Sequence, residues 1–174
     1  MEFKLNTKLH RYGFVLFTLY AWVLIAWDYF HDGVSTHYLL HDENMPGISN
    51  WWGALIIPVL SYMTLSRIQK RQNEYPSESN RKIFIRFILS LVFASALSIS
   101  FFYSPELIDY GMIAIFVISF GIPLYKSEYL LGFVIGAMFA FGAFIPTLAG
   151  LILIGIYFLF YTIGKKSLTL IFKK

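Results

Sequence analysis

At 174 residues the chain has the length of one ordinary domain, but 57% hydrophobic, 20% aromatic and only 14% charged residues, with a mean hydropathy of +0.63, exclude a soluble one, which carries about 25% charged residues. The lack of cysteine excludes disulfides, thiolate nucleophiles and cysteine-ligated zinc, so any metal would rest on His, Asp, Glu and water. The formal charge of +4 follows from how Lys and Arg are distributed along a membrane chain, and a nucleic-acid partner is not expected.

The first apolar run, Gly13 to Trp27, follows Lys4, Lys8 and Arg11. A secretory leader would close on small residues; this run closes on Trp27, Asp28, Tyr29 and Phe30, and it is expected to stay as a first span. A bilayer core takes roughly 17 to 25 apolar residues per helix, and six stretches qualify: 12–30, 52–68, 83–103, 107–125, 129–145 and 147–164. The expected fold is an all-α, six-transmembrane-helix bundle forming one domain, with both termini on one side. The division between the last two spans rests on Pro146, with Gly142 and Gly150 around it.

Between the second and third spans, residues 69–82 (QKRQNEYPSESNRK) have turn and linker composition and are expected to be a mobile connection without chemistry. Ser90, Ser95, Ser98 and Ser100 on the third span are expected to bond between helices. Ser104, Pro105 and Glu106 have the order of an N-cap, a first-turn proline and a dipole-matched acid opening the fourth helix. Gly132, Gly136 and Ala140 recur every four residues on the fifth, a stripe that admits a close neighbour. Tyr12, Trp27, Trp51, Trp52, Tyr103 and Tyr125 fall where aromatic belts form.

Lys and Arg in short loops stay cytoplasmic. With six spans all fourteen of them lie on the inner side, whereas Asp28, Asp32, Asp42, Glu43, Glu106 and Asp109 lie on the outer side without one base. The expected location is therefore a bacterial-type inner membrane, with both termini in the cytoplasm and the lipid bilayer as partner. Five or seven spans would scatter these charges.

The outer loop, residues 31–51, and the turn of helix before it hold three of the four histidines. Asp28, His31 and Asp32 stand at i, i+3 and i+4, and His37 and His41 at i, i+4, spacings that share a helix face. The first helix is expected to run to Asp32 and stop at Gly33, after which Ser35 or Thr36 caps a short interfacial helix through His41. Such a loop would be an ordered lid. Asp28, His31, His37 and His41 then form a candidate site for a divalent metal, zinc by ligand type, with water in an open position. Asp32, Glu106 and Asp109 are left to orient a ligand or act as base. A solvated loop is the plainer account of the same residues.

Three functions fit this pattern. The first is a membrane-embedded, metal-dependent hydrolase acting on a lipid or small amphiphile. The second is a transporter or importer subunit binding a metal ion or small solute under the first loop. The third is a non-enzymatic, partner-binding membrane protein. Composition does not fix an oligomeric state.

Overall fold

The structure, a computed structural model, describes residues 7–31, 33–38, 44–75 and 77–171. Six α helices are found among them: α1 (Thr7–His31), α2 (Gly53–Glu74), α3 (Asn80–Tyr103), α4 (Glu106–Ser119), α5 (Ser127–Phe141) and α6 (Phe144–Ile171). Three are long and apolar enough to cross a membrane, over Lys8–His31, Asn80–Tyr103 and Phe144–Ser167; α5 is apolar but shorter.

The bundle is assembled around α5. Leu130, Leu131, Val134, Ile135 and Met138 of α5 form its core with Ala21 of α1 and Ile57 and Leu60 of α2. Parallel packing with α3 is set by small residues: a Cβ on Gly132 would lie 2.4 Å from the Phe87 carbonyl, and one on Gly136 2.5 Å from that of Leu91. Only hydrogen at those positions lets the two backbones meet. Ser90 Oγ then donates to the Tyr129 carbonyl (2.6 Å) and Ser95 Oγ to that of Gly136 (3.3 Å), as expected for this serine row, while Ser98 bonds its own helix at Ala94.

Antiparallel pairing of α1 and α2 uses polar ties at both ends. His10 Nε2 meets Ser66 Oγ at 3.1 Å. At the other end Pro58, lacking an N–H, frees the Ala54 carbonyl four residues earlier, and Trp22 Nε1 donates to it at 3.2 Å.

Four local expectations are corrected. The interfacial helix is absent from the described part of the first loop: Thr36–Tyr38 is a strand, β1, paired antiparallel with β2, Gly47–Ser49, His37 facing Ile48. Thr36 and Tyr38 favour extended backbone, and Gly47 leaves room for both, since a Cβ there would lie 2.7 Å from Thr36 Cγ2. The break before the last helix falls at Gly142, not Pro146, because Gly142 takes φ +67°, open to a residue without Cβ; Pro146 sits in the first turn of α6, where it removes no helical bond. Residues 69–74 extend α2. Ser104 does not cap α4 with its side chain; its carbonyl accepts from the Leu107 N–H. The first helix ends at His31, with Gly33 at φ +87°.

Candidate functional site

The described charged residues are sorted to the two ends of this bundle. Lys8 and Arg11 on α1, Arg67 to Arg71 on α2, Arg81 to Arg86 on α3, Lys126 before α5 and Lys165 and Lys166 on α6 share one end; Asp28, Glu106 and Asp109 lie at the other.

At the acidic end three chain segments meet over the α5–α6 break. Asp28, in the last turn of α1, accepts from Asn50 Nδ2 at 3.2 Å. Asn50 opens the 3-10 turn Asn50–Trp52 beneath the hairpin, where Ser49 Oγ accepts from the Trp51 N–H and the Asn50 N–H donates to the Ser35 carbonyl. Because a carboxylate only accepts, the amide must turn its nitrogen to Asp28 and its oxygen away. That Oδ1 is buried and has no hydrogen-bond partner, in a residue only 8% exposed.

The same oxygen points at Gly142. A Cβ built on Gly142 would lie 2.7 Å from Asn50 Oδ1, 2.8 Å from His37 Cδ2 and 3.3 Å from His37 Nε2, so the histidine ring and the amide oxygen bracket one point. The cleft also touches Gly53 and Phe144 and is too narrow to admit a water molecule. An unpaired acceptor in such a place costs about 1–3 kcal/mol. The cleft is therefore narrow, and no described donor meets the Asn50 Oδ1 acceptor in it.

His31 does not join this group. Its ring stacks on Trp27 (centroids 3.9 Å apart) and Nδ1 donates to the Trp27 carbonyl at 2.9 Å, which leaves Nε2 as the acceptor nitrogen of the neutral ring. Glu106 and Asp109 are exposed on the first turn of α4 and share no hydrogen bond or ion pair with the Asp28 group among the described residues. Asp32 and His41 lie outside the described residues. Among the described residues no three His, Asp or Glu side chains stand close enough to hold an ion together.

At the basic end the 69–82 segment, expected to be inert, carries the most connected polar group of the molecule. Glu128, 1% exposed, accepts from Arg71 Nη2 at 2.7 Å and Arg86 Nη1 at 3.0 Å. Arg86 also reaches Glu78 Oε2 at 2.7 Å, and Lys126 closes the ring on Glu78. Gln72 Nε2 fixes the turn through the Glu78 carbonyl and Asn80 Oδ1. Burial raises the Glu78 pKa, but hydrogen bonds and charge from Lys126 and Arg86 outweigh it and bring it down to about 2. Sequence spacing could not assemble residues 71, 78, 86, 126 and 128. The available signal was Arg86 inside an expected span, since a charge at that depth needs a partner.

Comparison of the chain with known protein families, curated proteins and solved structures finds no match. The class of protein the fold defines is thus an all-helical one with membrane-length helices.

Proposed function

We propose that the chain is a six-span protein of a bacterial-type inner membrane, both termini cytoplasmic, and that its outer end is a metal-dependent hydrolase site for a lipid or small amphiphile. Charge sorting supports the topology, because the Lys and Arg of all described loops gather at the end where α1 begins, the cytoplasmic pattern. Helices α4 and α5 hold 14 and 15 residues, short of the roughly 20 a lipid-exposed span takes. For α5 the shortfall is tolerable: it is enclosed by protein, where irregular backbone at membrane depth is accepted.

One observation carries the site: Asn50 Oδ1, buried and unpartnered, faces the His37 ring across Gly142 while its amide nitrogen holds Asp28. Asp28 and His37 are ligand types a zinc ion takes, and Asn50 Oδ1 is a further oxygen acceptor beside them. His31, with Nδ1 on a backbone carbonyl, has the tautomer of a ligating histidine; His41 completes the proposed set. The hairpin would have to lift for an ion or substrate to enter. A metal bound there would lower the pKa of its water and polarise an ester or phosphoryl oxygen, with Asp32, Glu106 or Asp109 as the acids available for proton transfer.

Metal analysis of purified, zinc-loaded protein tests this. About one zinc per chain is expected for the wild type, and loss of at least tenfold in metal affinity for Asp28→Asn/His37→Ala, with unchanged gel-filtration behaviour. A wild type that holds no metal removes the proposal. A second reading, an importer subunit gated by the first loop, draws on the narrow cleft; it expects ion uptake into proteoliposomes, which a hydrolase does not need.

A further inference from the structure

A groove between α4 and the other helices has no use in the outer-end site. Two close approaches hold α4. A Cβ on Gly111 would meet Leu97 of α3 at 3.0 Å, and one on Gly164 of α6 would lie 2.2 Å from the Phe120 carbonyl. Between these pins lies an apolar cavity of about 340 Å³, bounded by Phe93, Ile118, Phe133, Ile154 and Tyr157. A second, of about 230 Å³, shares Phe133 and continues past Phe101 toward the acidic end. The larger one alone is within the roughly 300–1,000 Å³ typical of ligand pockets.

Its lining, which includes Ile115, is apolar apart from Ser90, Tyr129 and Tyr157, and the Ser90 hydroxyl is taken up by the Tyr129 carbonyl. Tyr157 is 8% exposed and lines the cavity, where its phenol can donate to an acceptor carried by a ligand. Following α6 toward the basic end, Gly150, Ile154, Tyr157, Tyr161 and Lys165 stand at i, i+4, i+7, i+11 and i+15, one helix face. Where that face ends, a shallow groove is formed by Tyr125, Tyr161, Lys165 and Lys166. Both lysines are exposed and have no acidic partner among the described residues. Apolar volume, the Tyr157 phenol and two cations without a described acidic partner thus follow one another along α6.

We infer that this groove seats one anionic phospholipid drawn from the leaflet at the basic end. An acyl chain fills the cavity, an ester oxygen accepts from the Tyr157 hydroxyl, and the phosphate lies on Lys165 and Lys166. The inference uses the membrane-length helices and does not depend on the outer-end metal.

The test is native mass spectrometry of the full chain released by mild detergent from vesicles of equal phosphatidylglycerol and phosphatidylcholine. Wild type is expected to retain one phosphatidylglycerol in preference to phosphatidylcholine. Lys165→Gln/Lys166→Gln should lower that preference roughly 30-fold, Tyr157→Phe should weaken retention with the preference kept, and Ile115→Trp, which fills the cavity, should abolish it. Equal retention of the two lipids by wild type overturns the inference, as does a lipid-free dimer, which would give the groove to a second copy. Should Ile115→Trp fail to fold, unchanged retention in both other variants overturns it equally.

Discussion

Gly142 carries more of the acidic end than any side chain there. It turns the chain between α5 and α6 with φ +67°, and its missing Cβ is the space that Asn50 and His37 approach. Gly142→Ala should cost about 2–3 kcal/mol, part from the left-handed backbone and part from displaced neighbours, measured as a lower denaturation midpoint in micelles. Glu78 gives a pH prediction of definite sign. Its pKa is brought down to about 2 in the folded chain from an ordinary 4.5. Its stabilisation is therefore fully present above about pH 4.5 and is lost as pH falls toward 2, an increment of roughly 2 kcal/mol after allowance for screening. Unfolding followed between pH 6 and 3 should show that loss in wild type and a flatter profile in Glu78→Gln. Of these residues the sequence marks Asp28, a carboxylate beside Trp27 and Tyr29 that needs a partner. The partner itself, Asn50, is 22 residues away and is delivered by a hairpin that local spacing did not announce.

At the scale of elements, legibility follows the range of the interactions. Three long apolar helices, the Gly132 and Gly136 approach to α3 and the turn at Gly33 are local features and are found close to where residue spacing puts them, whereas the expected 107–125 span is helical only over Glu106–Ser119. The first loop is different: His37 and His41 have helical spacing, but Thr36 and Tyr38 pair across to Ser49 and Gly47, and cross-strand packing overrides a short, marginal helix. The same holds for residues 69–82, whose polar composition suits a free linker until Arg86 of α3 and Lys126 before α5 arrive to fix Glu78. The α3–α5 contact should be the least tolerant in the molecule. Gly136→Leu would drive a side chain into the Leu91 carbonyl and is expected to abolish the folded monomer in size-exclusion chromatography, whereas Ala140→Leu, half-buried near the end of α5, should leave it intact. Glu128→Ala leaves two guanidinium groups facing each other in a buried site and should cost about 3–5 kcal/mol, read as a fall in thermal stability.

For the whole molecule the governing fact is that every described Lys and Arg lies at one end of an apolar bundle, with Glu74, Glu78 and Glu128 among them, whereas Asp28, Glu106 and Asp109 stand at the other end without a described base. A bilayer explains that arrangement, since it separates the ends by about 30 Å of hydrocarbon and biases Lys and Arg to the cytoplasmic side. The proposed metal site at one end and the inferred lipid groove at the other both presuppose it. The chain has no cysteine, so single cysteines report cleanly on sidedness. Met45→Cys and Pro105→Cys stand exposed at the acidic end, Ser77→Cys and Lys166→Cys at the basic end. A membrane-impermeant maleimide applied to intact cells should label the first two and reach the last two only after permeabilisation; labelling of both pairs from the same side would contradict the account.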